Sequence, residues 1–292
     1  MLKEYERRGM FLLCEKKEKA QNIYREIVEL VARFSFVSAE EIAYGFDLTP
    51  DKAGEKLRYL SKLGLLDRFD GIADPKSLYC LTSFGRKVAQ LHRVSDEVHP
   101  FAPSHYYVLN QRHDRMLTRI YLALRKIFEG RLKGWSGELT LRQNEGFSAS
   151  PVDPAGRRIM DGMFLLEPEL AFSPPNNYRW CGLELELTLK SAERYRKQFR
   201  GLADTVYDSF ERKQKVPLVL FLYGSETIAR ALHKYWDEQR DQFGQYIFFF
   251  GSADRFLNER GEAPLTRYFG DERRTLQAKE LACVSIALSS GR

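Results

Sequence analysis

Cysteine is scarce in this chain of 292 residues: Cys14, Cys80, Cys181 and Cys283 stand far apart, without the paired spacing of a zinc ribbon or the density of a disulfide-stapled domain. They read as reduced, partly buried small hydrophobes. Long apolar runs are missing as well. Val216 to Tyr223 and Tyr246 to Phe250 fall far short of the roughly 20 residues that cross a bilayer. The start, Met1 to Lys19, is interrupted by charges and has no signal-peptide pattern, so the expectation is a cytoplasmic protein with no membrane partner. Neither sign of charge dominates, since 46 basic against 40 acidic residues give +6. That excess is compatible with a polyanion partner and equally with an ordinary solvated surface. The length allows two domains and a sizeable core.

What is present begins with helical punctuation. From Gln21 to Phe34, Ile23, Ile27, Leu30 and Val31 recur at helical spacing. Ser38 and Glu41 form a capping box opening a short helix with Ile42 and Phe46. Thr49 caps a third helix with Pro50 at its first position, Ala53, Leu57, Leu60 and Leu63 as its buried stripe, and Gly64 at its end. Leu65 to Phe69 and Leu78 to Leu81, joined by a turn through Asp70, Gly71, Asp74 and Pro75, read as a two-stranded wing. Thr82 opens a further helix running to Leu91. Val94 to Ser104, with His99, Pro100 and Pro103, lacks periodicity and reads as a linker.

The element order from Gln21 to Arg93 resembles the winged helix-turn-helix family. That resemblance implies that the Pro50 to Lys62 helix enters a DNA major groove, with Lys52, Lys56 and Tyr59 outward and Arg58 and Lys62 toward the backbone. Asp51 and Glu55 share that surface and oppose the contact, and a protein-interaction module is the competing reading.

Beyond Gln111 the pattern predicts a helix over His113 to Phe128, then strands at Glu138 to Arg142, Ile159 to Leu166 and Trp180 to Leu187. Ser191 caps a long helix whose stripe is Tyr195, Phe199, Leu202, Val206 and Phe210; the strand Val216 to Tyr223, the helix Glu226 to Gln239 and the strand Gln245 to Phe250 follow. In the third strand Leu183, Leu185 and Leu187 face one way and Glu184 and Glu186 the other. Two carboxylates about 7 Å apart on one side of an apolar strand resist burial unless a cation lies between them, which suits a metal, with Asp161 as a third oxygen ligand. Exposed edge-strand glutamates beside a turn aspartate are the plainer alternative.

Asp161 on the second strand and the acid pair on the third resemble the PD-(D/E)xK restriction-endonuclease-like superfamily, with Met160 in place of the proline and Glu186 in place of the lysine. His113, Trp135, Glu138, Asp161, Gly162, Glu184 and Glu186 together look like the replication-relaxation family and the MobC type of conjugative relaxase. The fold class implied is α/β, with a winged helix-turn-helix domain over 1–93, a linker over 94–110, and an αβββαβ nuclease-like core with a central mixed sheet over 111–292. The function implied is a Mg²⁺- or Mn²⁺-dependent endonuclease that nicks one DNA strand at a transfer or replication origin. Duplex and single-stranded DNA, and other relaxosome or coupling proteins, would be its partners.

Asp161, Glu184 and Glu186 would hold the metal, Glu138 could add a fourth acid, and Glu186 is either a ligand or a general base. Lys190 could supply the charge missing from the third motif. Arg194 and Lys197 could as well, or they are a solvated helix face. His113 is either catalytic or a hydrogen-bonded residue at a helix start, and Tyr106 and Tyr107 are weak candidates for a covalent nucleophile. A non-enzymatic replication or transcription regulator on a degenerate nuclease scaffold is the alternative, and a restriction or repair nuclease a third reading.

Overall fold

The computed structural model describes residues 19–70, 77–91, 105–138, 141, 160–167, 179–211, 218–243, 247–269 and 272–283. They fall into two compact units, Met1–Leu122 and Ala123–Arg292. Residues 71–76, including most of the expected wing turn, and the expected linker through Ser104 lie outside the described residues.

The first unit is built from α1 (Lys19–Phe34), β1 (Phe36–Ser38), α2 (Ala39–Phe46), α3 (Pro50–Lys62), β2 (Leu66–Asp70), β3 (Ser77–Leu81), α4 (Ser83–Leu91) and most of α5 (His105–Ile127). Its sheet is antiparallel in the order β1-β3-β2. Hydrophobic spacing drives this assembly, because Ile27, Val31, Leu57, Leu60 and Val88 are all buried where α1, α3 and α4 meet the sheet. Thr49 and Pro50 open α3, and Gly64 follows its end at φ +74°, a left-handed position glycine occupies without a Cβ clash. Three helices, a hairpin and a returning helix make this unit winged-helix-like. The short β1 had no sequence signal of its own. It forms because Phe36 to Ser38 pairs with Leu78 to Cys80 on the free edge of β3.

The second unit carries a seven-stranded mixed sheet in the order β10-β9-β8-β7-β6-β5-β4. Its strands are β4 (Leu132–Gly137), β5 (Gly162–Leu166), β6 (Arg179–Glu186), β7 (Leu218–Tyr223), β8 (Ile247–Ser252), β9 (Pro264–Phe269) and β10 (Glu272–Gln277). β6, β7 and β8 are parallel neighbours, and the other pairs are antiparallel. Two crossovers join the parallel strands, α6 (Ala192–Glu211) and α7 (Glu226–Asp237), the latter followed by the single turn α8 (Arg240–Phe243). α9 (Ala253–Glu259) leads from β8 toward the β9–β10 hairpin, which extends the sheet beyond the expected αβββαβ core.

Both crossover helices pack on one sheet face, where Tyr195, Phe199, Leu232 and Trp236 meet Val219, Phe221, Phe248 and Phe250 in one buried cluster. On the opposite face Leu183, Leu220, Leu222 and Phe249 are also buried. Burial on both faces explains why β7 and β8 read as continuous apolar runs rather than alternating patterns. Among the described residues no helix is long and apolar enough to cross a membrane.

Three sequence expectations are corrected here. The first strand of the sheet is Leu132–Gly137 rather than Glu138 to Arg142, because the chain turns at Gly130, φ +72°, and pairs at once with β5, burying Trp135 opposite Phe164. The helix expected from His113 starts at His105, so His113 sits inside it and opens nothing. Asp161 lies in a bend one residue before β5 rather than within a strand.

Candidate functional site

β6 is an interior strand, so its acids cannot be edge decoration. Glu184 and Glu186 are 1% and 2% exposed and point to the face that α6 and α7 cover, at the C-terminal end of a strand in the parallel part of the sheet. Crevices beyond such strand ends are where open α/β sheets bind ligands. Buried carboxylates need partners, and α6 supplies them. Gln198, itself 3% exposed, donates from Nε2 to Glu184 Oε2 at 2.9 Å and accepts at Oε1 from Lys190 Nζ at 3.1 Å. Lys190 Nζ also ion-pairs with Glu186 Oε2. A chain of contacts therefore runs Glu186, Lys190, Gln198, Glu184.

Lys190 is held in place by its own backbone, whose N–H donates to the Tyr195 hydroxyl at 3.3 Å. Tyr195 is fully buried and stacked on Tyr235, 5.6 Å between ring centres. Burial raises its phenol pKa above the ordinary value, the Lys190 N–H works against that, and the Glu186 charge adds to it. The phenol therefore stays protonated at neutral pH.

Asp161 reaches the same strand by a different contact, accepting the Leu185 N–H at Oδ2, 2.7 Å. Two glycines make this approach possible. A Cβ on Gly162 would stand 2.7 Å from the Trp135 ring, and one on Gly182 would stand 2.1 Å from Met160 Sδ. Met160, 1% exposed, thus fills the space above Gly182 and fixes the chain just before Asp161. The pairs Gly137–Gly162 and Gly162–Leu183 close this end of the ladder across β4, β5 and β6, with Glu138 following Gly137, Asp161 preceding Gly162 and Glu184 following Leu183. Glu138 is half-buried and follows the last residue of β4, a place the misplaced strand had hidden.

Sequence reasoning placed Asp161, Glu184, Glu186 and Lys190 together, and the structure keeps them together. It does not draw their carboxylates into a ready ligand set: among the described residues no group of three or more His, Cys, Asp or Glu is arranged to hold a metal ion. His113 belongs to the first unit, where its Nδ1 lies 3.5 Å from Asp114 Oδ1. The side chains of Tyr106 and Tyr107 lie outside the described residues. Gln198 was missed, although its spacing was readable: three residues after Tyr195, on the buried arc of an otherwise apolar stripe, a polar residue marks a partner waiting in the core.

In the first unit, Lys52, Arg58, Tyr59 and Lys62 are exposed on α3, beside exposed Asp51 and Glu55. Lys56 is half-buried with its Nζ 4.7 Å from the centre of the Tyr24 ring, and Tyr24 packs against Tyr59 at 5.4 Å. It is committed to that ring as well as to the outer face. Behind the helix Glu41 is fully buried. It closes the capping box on the Ser38 N–H at 2.8 Å and accepts from Arg115 Nη2 at 2.9 Å and Arg119 Nε at 3.1 Å.

The fold and site define a two-unit α/β chain, winged-helix-like and then mixed-sheet, with buried acids on a central strand. No protein-family model and no curated protein matches it. A solved structure similar to part of the chain is the adhesin competence repressor AdcR from Streptococcus pyogenes. It is 16% identical, covers 37% of this chain and 68% of its own, and has a TM-score of 0.23, too low to carry an argument.

Proposed function

We propose that this protein binds DNA through its first unit and cuts one strand with the acid site of its second, as a metal-dependent, relaxase-type nicking endonuclease acting at a transfer or replication origin. The observation that carries the reading is the burial of Glu184 and Glu186 at the C-terminal end of an interior strand, with Asp161 accepting the N–H of Leu185 between them. Burying two neighbouring carboxylates is costly, and such arrangements gather where a cation or a reacting group uses them. The donors are hard oxygens, which suit Mg²⁺ or Mn²⁺, and Asp161, Glu184 and Glu186 would hold it. A cation bound there supplies charge neutralisation at phosphate and a more acidic water. Gln198 orients Glu184, and Lys190 places positive charge beside Glu186 where the superfamily pattern has its lysine. Either Glu186 is a ligand, or it takes a proton from the attacking group.

A second reading has its own observation. Lys190 already neutralises Glu186, and no ready metal set exists among the described residues, which fits a DNA-binding replication or transcription regulator on a nuclease-like scaffold. Supercoiled plasmid carrying candidate origin DNA, incubated with Mg²⁺, Mn²⁺ or EDTA, separates the two. The nicking reading expects open circles with Mn²⁺ or Mg²⁺ and none with EDTA. It expects losses of at least about 100-fold in Asp161→Asn and Glu184→Gln, comparable to the loss of a transition-state electrostatic partner. Intact supercoils under every condition, with DNA still bound, favour the scaffold.

A further inference from the structure

We propose that the outer face of α6 is a docking surface for the phosphate backbone of DNA, held by Arg194, Lys197 and Arg200. The helix is sharply two-sided: Tyr195, Gln198, Phe199 and Leu202 are buried, whereas Glu193, Arg194, Arg196, Lys197 and Arg200 are exposed. Four of those five exposed side chains are cationic. Arg196 is neutralised within the fold, its Nε and Nη2 lying 2.9 and 2.7 Å from Glu238 Oε2. Among the described residues no carboxylate lies in ion-pair range of Arg194, Lys197 or Arg200, and these three cations share the exposed face with the single acid Glu193.

Their position makes that more telling. Arg194 lies in the first turn of a 20-residue helix, where the positive end of the helix dipole disfavours cations, and Lys197 and Arg200 follow in the next two turns. A chain with only a small overall excess of basic residues thus concentrates positive charge on one exposed helix face, which suits an external polyanion. Lys190, on Glu186, lies just before the helix, and within it Arg194, Lys197 and Arg200 follow at spacings of three, so these charges step along one side of the helix. A DNA strand following these steps would pass the acid site. The partner's chemistry is a regular row of phosphodiesters, since separated cations on a convex helix face match a repeating anion better than a single small one.

The inference rests on the DNA-binding part of the proposed function and not on cleavage. The test is fluorescence anisotropy of the full chain with a labelled DNA duplex, in EDTA, across a potassium chloride series. For Arg194→Ala/Lys197→Ala/Arg200→Ala, the slope of log K against log salt should shrink by about 2 to 3, at about 0.9 per lost phosphate contact. Arg194→Lys/Arg200→Lys, which leaves lysine at all three positions, should keep the parent slope. Arg196→Ala, whose guanidinium already belongs to Glu238, should change it by less than one contact. A triple alanine variant with the parent's circular dichroism and melting temperature that also keeps its slope overturns the proposal. So does a slope that Arg196→Ala reduces as much as the triple variant. A parent that shows the expected slopes yet never nicks supercoiled plasmid leaves this surface standing and removes only the enzymatic reading.

Discussion

Single residues in this protein carry more electrostatic weight than the near-balanced charge total suggests. Glu41 is the clearest instance outside the acid site: a fully buried carboxylate whose desolvation is offset by Arg115, Arg119 and the first turn of its own helix. The capping box was legible from Ser38 and Glu41 alone. The arginines were not, because they lie 74 and 78 residues away in sequence. Glu41→Gln keeps the volume and removes the charge, leaving the Arg115 and Arg119 guanidiniums with Glu40 Oε2, 3.0 and 2.9 Å away, as a remaining carboxylate partner. Because Glu40 still pairs with both arginines and Arg119 is 32% exposed, the cost should fall below the roughly 3 kcal/mol of a fully uncompensated buried pair, at about 1–2 kcal/mol. Urea denaturation should show the loss as a lower midpoint with an unchanged m-value, and an unchanged midpoint would mean that the cluster is energetically neutral.

At the scale of elements, the decisive contact is between Met160 and Asp161, just before β5, and the strand β6. Met160 occupies the space that a side chain at position 182 would fill, and this holds Asp161 beside Leu185. Gly182→Ala forces the flexible Met160 side chain out, an overpacking cost of about 1–3 kcal/mol. Met160→Ala alone leaves a cavity worth about 2–5 kcal/mol. The double variant should cost less than the sum, because the new methyl enters the vacated space, and a double-mutant cycle by thermal and urea unfolding measures that coupling. Strict additivity would break the link between the two positions. The same scale explains the misplaced first strand: Glu138 to Arg142 has some alternation, but pairing with β5 decides the register, and that favours the segment burying Trp135.

For the whole molecule, the prediction is that its two basic surfaces act independently. Lys52→Ala/Arg58→Ala/Lys62→Ala removes exposed cations of α3, leaving Lys56 on the Tyr24 ring, and should flatten the salt dependence of duplex binding by up to about 2.7 at 0.9 per contact. Combined with the α6 substitutions the two changes should add, since sites without shared partners behave additively. Anisotropy of the sixfold variant measures this. A slope no smaller than either triple variant's would mean that one of the two surfaces never touches DNA.

Local signals settled the caps at Ser38, Thr49 and Ser191, the left-handed stop at Gly64 and the alternation of acids in β6, because helix periods, caps and strand pleats depend on neighbours a few residues apart. Tertiary structure alone decided that β6 is interior, so that Glu184 and Glu186 are buried rather than edge residues. It also decided that β1 completes the small sheet, that β9 and β10 extend the large one, and that Gln198 bridges Glu184 to Lys190. Each of these depends on which distant segment pairs with or packs against which. That choice is set by the shape and burial of the assembled chain, for which a stretch of a dozen residues carries no signal.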